Sequence, residues 1–319
     1  MKEKSPLLIE GRGLVKEFPA GRKKIHAVSG VDIALRQGET LALVGESGCG
    51  KSTLGRTLIR LTEPDAGTIL YRGTDITALR GAALAPYRRQ MQFVFQDPYA
   101  ALDPRMTVRD IVAEPLEAWR VCAGKKETAE EVKALLAAVG LPENDLTRYP
   151  HQFSGGQRQR VGIARALALH PALVVCDEPV SALDVSVQNQ ILNLLNEIQA
   201  RYGLTYLFIS HDLSVVRFVA DRVCVMFLGK LCEEGDAAEI FDHPEHPYTQ
   251  FLLRAAPGLD PRARAAETPI LEGELPSPAD PPAGCRFHTR CPYADARCSG
   301  ETPALRGGGS HRVACHRAE

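Results

Sequence analysis

The chain has 319 residues, of which 45% are hydrophobic and 24% charged, with a formal net charge of −1, as in a globular protein of one or two domains. The near-zero charge argues against a nucleic-acid-binding protein that depends on bulk positive charge. No apolar run reaches the length of a membrane span and the N-terminus lacks the apolar core of a signal peptide, so we expect the protein to stay in the cytoplasm.

Short apolar runs and helical patterns alternate along the chain. Residues 41–45, 173–176 and 206–209 predict buried strands. Strands alternating with helices predict an α/β fold whose sheet is largely parallel and covered on both faces. Apolar residues recur at helical spacing in two stretches, each followed by a glycine that would cap the helix: Val132, Leu135, Leu136 and Val139 before Gly140, and Ile191, Leu195 and Ile198 before Gly203.

The stretch GESGCGKST, residues 45–53, follows the first strand directly and has the spacing of a phosphate-binding loop. Its glycines let backbone N–H groups close around phosphate oxygens, and the next helix turns the positive end of its dipole toward the anion. Lys51 would reach the β- and γ-phosphates of ATP, and Ser52 would bind Mg²⁺. The predicted ATP contacts are Gly45, Ser47, Gly48, Gly50, Lys51, Ser52 and Thr53.

Two acidic residues end the second predicted strand, in LVVCDEP at residues 173–179. Asp177 would orient Mg²⁺ or its water shell, and Glu178 would polarise the attacking water. Alone, this pair would be two solvated acids at a strand end. The phosphate loop in the same chain favours the catalytic interpretation.

The stretch FSGGQRQRVGIARAL, residues 153–167, resembles the signature of ABC proteins, so the chain is similar to the nucleotide-binding subunits of ABC transporters. The resemblance implies that the start of this helix completes the ATP site of a partner subunit, with two ATP molecules held in a head-to-tail dimer. The residues that it assigns to this contact are Ser154, Gly155, Gly156 and Gln157.

The same resemblance assigns four more residues. Gln96, which could also be a surface-loop residue, would contact Mg²⁺ beside the transporter interface. Asp184 would cross the dimer interface, although it also suits a helix N-cap. His211 would contact the γ-phosphate and hold the catalytic geometry, where a lone histidine is more often structural. Phe18 would stack on adenine, although an aromatic residue near a strand is more often part of a core.

The implied fold is a P-loop NTPase (RecA-like) α/β core with ABC-type antiparallel β and helical subdomains, plus a small irregular cysteine-rich tail. We expect an ABC ATPase domain over residues 1–255, with a helical subdomain at about 98–165, and a C-terminal region over 256–319. The Pro-, Ala- and Gly-rich stretch 256–284 predicts an irregular linker.

A second motif, HPYTQFLL at residues 246–253, resembles an element of oligopeptide, dipeptide and nickel importers, and the chain looks most like the second of their two ATPase subunits. This implies a peripheral protein at the cytoplasmic face of the inner membrane. Its partners would be a sister ATPase in a heterodimer, two membrane permeases and, through them, an extracytoplasmic substrate-binding protein, without nucleic acid. The alternatives are a soluble ABC-type ATPase without a transport role and a metal-sensing regulator, which would not explain the intact ATPase motifs.

Four cysteines lie in the tail, in the spacing Cys285-x5-Cys291-x6-Cys298 with Cys315 beyond. Four thiolates suit Zn²⁺ or an iron–sulfur cluster, and the wide spacing favours a cluster. Resemblance to peptide-importer tails also suggests a 4Fe–4S cluster. Zinc remains an alternative because three histidines could serve as further ligands, namely His288, His311 and His316. A disulfide suits a reducing compartment least. The five other cysteines are scattered and predict buried or loop residues: Cys49, Cys122, Cys176, Cys224 and Cys232.

Overall fold

The computed structural model describes residues 5–256, 275–308 and 310–318, so most of the predicted linker lies outside the described residues. The chain forms two compact units: Met1–Ala78 with Leu207–Glu319, and Leu79–Tyr206. In the described part of the chain, no helix has both the length and the apolar character that crossing a membrane requires.

The described residues form strands and α-helices, each numbered in chain order. The strands are β1 (Leu7–Ala20), β2 (Lys23–Arg36), β3 (Thr40–Val44), β4 (Ala66–Tyr71), β5 (Thr74–Asp75), β6 (Met91–Val94), β7 (Leu173–Asp177), β8 (Thr205–Ser210), β9 (Arg222–Phe227), β10 (Lys230–Asp236) and β11 (Arg312–Val313). The helices are α1 (Lys51–Leu58), α2 (Gly81–Gln90), α3 (Pro98–Ala101), α4 (Val108–Ala118), α5 (Lys125–Ala138), α6 (Gly155–Leu167), α7 (Val185–Tyr202), α8 (Leu213–Val219), α9 (Ala237–Asp242), α10 (Pro247–Ala255) and α11 (Ala296–Gly300).

Two sheets organise the first unit. One is antiparallel, in the order β2-β1-β4-β5. The other runs β11-β10-β9-β3-β8, with β3 parallel to β9, whereas β10 is antiparallel to both β9 and β11. The antiparallel sheet agrees with the expectation from the resemblance. The antiparallel pairs of the second sheet lie at its β10–β11 edge, where a tight turn at residues 228–229 returns the chain beside β9.

The core of the first unit lies between the second sheet and the C-terminal helices. Every residue of β3 is buried, as the apolar run that begins at Leu41 predicts for all but Thr40. Phe227, Tyr248 and Phe287 are 0–1% exposed and pack edge to face or tilted, with ring centroids 4.8–5.3 Å apart. The tail residue Phe287 is therefore part of the same core as the strand that precedes the phosphate loop.

The second unit contains the parallel pair β6–β7 and the helices from α2 to α7. The helix predicted around residues 132–139 is α5, and the one predicted around 191–198 is α7. Each is followed by the predicted glycine with positive φ: Gly140 lies two residues beyond the end of α5, and Gly203 comes directly after α7. The predicted strands correspond to β3, β7 and β8, so the α/β alternation is confirmed.

The C-terminal tail is more structured than its composition predicts. It contains α11 and a short strand, β11, which adds to the edge of β10. Two side-chain pairs strengthen this attachment: His311 Nε2 lies 2.7 Å from Glu233 Oε1, and Arg312 donates to Glu234 through Nε at 2.8 Å. Glu233 is fully buried and also accepts from the backbone N–H groups of Glu245 and His246, so its carboxylate is well satisfied.

Candidate functional site

The phosphate loop has backbone conformations that only glycine adopts readily. Gly45 and Gly50 have φ of 152° and 105°. A Cβ at Gly45 would lie 2.1 Å from the carbonyl oxygen of Met226, and one at Gly50 would lie 2.0 Å from that of Ala27. These two positions therefore need glycine for loop shape and for packing against the neighbouring backbone, while the predicted contact of the loop with phosphate stays a prediction.

Lys51 is the first residue of α1 and is 5% exposed. Its Nζ donates hydrogen bonds to the carbonyl oxygens of Gly45 and Glu46, at 2.8 and 2.9 Å. The ammonium group is thus directed into the loop that precedes it. Gly50 provides no capping side chain at the N-terminus of α1, which also carries Ser52 and Thr53. A cation and the positive end of a helix dipole meet at this loop, which suits an anion.

Phe18 and His211 are the other predicted site residues of the first unit. Phe18 is 37% exposed, on β1 opposite Ile25 of β2, and the Lys16 ammonium lies 5.5 Å from the centre of its ring. Its exposure removes the alternative of a core residue. His211 is exposed immediately after β8, and the following residue, Asp212, caps α8 by accepting from Ser214 N–H at 2.8 Å.

In the second unit, Gln96 and Glu178 are brought together. Gln96 Nε2 donates to Glu178 Oε2 at 2.8 Å. Asp177 ends β7 and is fully buried, whereas the adjacent Glu178 is half-buried and has a φ of 45°. A left-handed φ is uncommon for glutamate, and such conformations cluster at functional sites. A carboxylate and an amide at the ends of neighbouring strands can together orient a water molecule or a cation.

The predicted signature residues begin α6. Ser154 and Gln157 form a reciprocal capping box: Gln157 Oε1 accepts from Ser154 N–H at 3.0 Å, and Ser154 Oγ accepts from Gln157 N–H at 3.4 Å. A Cβ at Gly156 would lie 2.3 Å from Cγ1 of Val187, so tight packing of α6 on α7 alone requires glycine there. Gly155 has more space, since its Cβ would lie 3.2 Å from Leu183 Cδ2.

Asp184 is the N-cap of α7, the local role that its sequence position also suggested. Its Oδ1 accepts from Val187 N–H at 3.0 Å and from Ser186 Oγ at 2.6 Å, so it caps α7. These hydrogen bonds, chiefly that from Ser186, lower the pKa of the carboxyl group and keep it ionised. The contact predicted across a dimer interface remains a prediction.

None of the nine cysteines, all of which lie among the described residues, forms a disulfide. Four of the five scattered ones are buried and Cys122 is partly buried, as predicted. Burial raises the pKa of the Cys285 thiol to about 11, and the nearby thiols of Cys298, Cys291 and Cys315 add to that rise. Cys285 lies beside Cys298, whose carbonyl oxygen accepts a hydrogen bond from Cys285 N–H at 2.8 Å.

The side-chain arrangement gives no support for a metal ion at these cysteines. Among the described residues, no three His, Cys, Asp or Glu side chains are placed to hold one ion. Each of the three candidate histidines uses one ring nitrogen in a protein contact, with Cys285 O at 2.9 Å, Glu233 Oε1 at 2.7 Å and Glu301 O at 3.1 Å: His288, His311 and His316 respectively.

Sequence reasoning missed three residues at the phosphate loop: Glu46, Tyr248 and Arg290. Tyr248 lies in the HPYT motif, which by itself indicates only the family. Its hydroxyl accepts from Glu46 N–H at 2.8 Å, and Arg290 donates to the Glu46 carboxylate at 3.0 and 3.1 Å. Glu46 is 202 positions from Tyr248 and 244 positions from Arg290, so no local pattern could predict these contacts. The HPYT motif marks Tyr248 in the sequence but does not show what the residue contacts.

Comparison with known proteins identifies two family regions. Residues 28–181 match the family described as ABC transporter, and residues 232–298 match the family described as oligopeptide/dipeptide transporter, C-terminal region. The chain is 52% identical to the oligopeptide transport ATP-binding protein AppF of Bacillus subtilis, over 97% of each protein. It is 48% identical to OppF of Salmonella typhimurium, described in the same words, over 92% of this chain and 88% of that protein.

One solved structure has a similar fold, and the match covers 72% of this chain. It is the dimeric, post-hydrolysis state of an ATP-binding cassette bound to ADP and Pi, with a TM-score of 0.66 and 30% identity, and 99% of that chain is covered.

Proposed function

This chain belongs to the ATP-binding subunits of ABC transporters, in the oligopeptide and dipeptide group, and we propose that it binds and hydrolyses ATP to drive peptide uptake. The observation that carries the ATPase proposal is the hydrogen bond between Gln96 and Glu178. Peptide cargo is supported by the descriptions of AppF and OppF, which both name oligopeptide transport. Neither of these relatives gives specific support for nickel.

The proposed chemistry assigns distinct tasks to the two units. In the first, the backbone of residues 45–53 and the Lys51 ammonium bind the phosphates, Phe18 stacks on adenine, and His211 contacts the γ-phosphate. In the second, Glu178 accepts the proton of the attacking water, which Gln96 helps to orient. Mg²⁺, when bound, neutralises charge on the β- and γ-phosphates. Ser52, Gln96 and Asp177 have the oxygen ligands that would hold it.

The remaining roles need a second subunit. Ser154 to Gln157 and Asp184 would face the ATP of a partner, which we propose is a sister ATPase in a heterodimer. The solved cassette to which this chain is similar is dimeric, which supports a dimer of two ATP-binding subunits. The protein would lie at the cytoplasmic face of the membrane on two permeases, which connect it to an extracytoplasmic substrate-binding protein. We retain the proposed ATPase domain over 1–255 and C-terminal region over 256–319.

The proposal of an iron–sulfur cluster at the tail cysteines rests on the presence of four thiol donors. It does not rest on an arrangement of these thiols around a single ion. Cys285 N–H donates to Cys298 O at 2.8 Å, and Cys285 and Cys291 pack partly buried against the core. A single zinc ion needs ligands that converge on one point, whereas each thiolate of a 4Fe–4S cluster binds a different iron. The donor set therefore fits a cluster, with Zn²⁺ as the alternative, and its role would be to brace the tail.

The experiment that tests the function measures uptake of a radiolabelled tripeptide in cells that express the complete transporter. Cells with the wild-type chain should accumulate peptide, and Lys51→Ala should abolish accumulation. Excess unlabelled peptide should compete with the label, and excess Ni²⁺ should not. ATP hydrolysis without any dependence of uptake on this chain would instead indicate an ATPase that is not coupled to transport.

A further inference from the structure

The C-terminal tail reaches the phosphate loop through one ion pair. Arg290 Nη1 lies 3.1 Å from Glu46 Oε1 and 3.0 Å from Glu46 Oε2. Glu46 is the second residue of the loop, directly after Gly45. The side chains are only 10% and 26% exposed, so solvent screens this pair less than it would a surface pair.

The backbone of Glu46 is held from another direction by Tyr248. The Tyr248 hydroxyl accepts from Glu46 N–H at 2.8 Å, and its ring is fully buried against Phe227 and Phe287. A buried ring with a single hydroxyl provides a rigid acceptor, since a shift of the ring would disturb the core around it. Both the backbone and the side chain of one loop residue are therefore fixed, the backbone by Tyr248 of α10 and the side chain by Arg290 of the tail.

The charge of Glu46 gives this contact a consequence for nucleotide binding. An unpaired carboxylate in a loop that receives a triphosphate would repel the ligand. The guanidinium of Arg290 offsets that negative charge. We infer that Arg290 is a positioning residue for ATP, acting through Glu46, and that Tyr248 fixes the same loop residue through its backbone. This inference rests on the proposed nucleotide site.

The ion pair between Arg290 and Glu46 is not needed to hold the tail in place, because other contacts also attach the tail. The tail is also held by Phe287 in the core, by the β10–β11 ladder and by the contact of His311 with Glu233. These contacts do not involve the phosphate loop. Loss of the Arg290 guanidinium should therefore leave the tail in place while it changes the electrostatic potential at the loop.

The test measures the dissociation constants of MgATP and MgADP for the full chain by titration calorimetry at low and at physiological salt. Arg290→Met should weaken MgATP binding about fivefold at low salt, as expected for loss of a partly buried ion pair. The effect should be smaller for MgADP and smaller at the higher salt concentration. Glu46→Gln combined with Arg290→Met should restore the affinity to within about twofold of wild type, because no uncompensated charge is then left.

A matched control is Arg297→Met, which removes an arginine of the same tail whose pair with Glu301 is exposed, and it should leave the affinity unchanged. Tyr248→Phe should weaken both nucleotides to the same extent, because it removes a backbone contact and no charge. Lys51→Ala separates the two proposals. If Lys51→Ala binds MgATP as wild type does, the nucleotide site itself is wrong.

If Lys51→Ala loses binding while a folded Arg290→Met binds MgATP as wild type does, only the role of Arg290 is overturned. Failure of the Glu46→Gln and Arg290→Met combination to restore affinity would overturn it as well. Folding of each variant is checked by its thermal melt. Should Arg290→Met not fold, Arg290→Gln replaces it. If neither neutral variant folds and Arg290→Lys does, the pair is structural and the inference is wrong.

Discussion

Gln96 and Glu178 are 82 positions apart in the sequence, and their side chains share a hydrogen bond of 2.8 Å. Gln96 follows β6 and Glu178 follows β7, and these two strands are parallel neighbours. Since the carboxyl ends of parallel strands meet at one edge of a sheet, the strand order explains the contact. The contact places the Glu178 carboxylate, which can accept a proton, beside the Gln96 amide, which can hold a water molecule in position.

The proposed borrowing of Ser154 to Gln157 from a partner predicts poor hydrolysis by the isolated subunit. Turnover per molecule should rise with protein concentration, or on addition of the sister ATPase, since only then is each site complete. Steady-state phosphate release over a dilution series measures this. A dilute monomer that hydrolyses ATP at the full rate, independent of concentration, would rule out the shared site.

Gly156 lies where α6 packs on α7, and we predict that Gly156→Ala lowers the free energy of unfolding by about 1–3 kcal/mol, as overpacking does. The cause is the clash of the new Cβ with Val187 Cγ1. Gly162→Ala, in the same helix with no atom within 4 Å of the added Cβ, is the matched control and should be neutral or stabilising by up to about 1 kcal/mol. Urea unfolding compares the two, and equal stability would contradict the packing argument.

The tail cysteines are predicted to bind one oxygen-sensitive iron–sulfur cluster. Protein purified without oxygen should be brown and contain about four irons per chain, and its visible absorption should bleach in air. Replacement of Cys285, Cys291, Cys298 or Cys315 with Ser should remove the colour and expose the tail to proteolysis, while nucleotide still binds. Cys122→Ser is the control and should keep the colour. About one zinc and no iron per chain would leave a zinc site in place of the cluster.

His246 predicts a loss of stability in mild acid. It is 2% exposed, its Nδ1 accepts from Tyr248 N–H at 3.0 Å, and burial lowers its pKa from 6.5 to about 4. Because the unfolded chain binds the proton first, stability falls as the pH decreases from about 6.5 to about 4, by about 3 kcal/mol in total. His246→Asn keeps a capping side chain and should flatten this part of the profile. Thermal melts with equal pH dependence in both proteins would contradict the assignment.

Local patterns predicted the parts of the fold that depend on neighbouring residues. The phosphate loop, β7 and the ends of α5 and α7 follow from apolar spacing and from glycine positions, and they are where the sequence places them. Contacts that depend on topology were not predictable. The strand β11 has two residues, too few for a periodic signal, and the contact of Arg290 with Glu46 spans 244 positions. The need for glycine at Gly156 becomes visible only when Val187 is placed beside it.

The most direct test of the ATPase account is steady-state phosphate release by Glu178→Gln, measured with MgATP binding in the same preparation. The substitution keeps the shape of the side chain and removes the carboxylate that would accept the proton of water. We expect hydrolysis to fall by at least about a hundredfold while MgATP binding stays within about twofold of wild type and the closed dimer accumulates. Near-normal turnover by Glu178→Gln would contradict the account, because the proton would then have another acceptor.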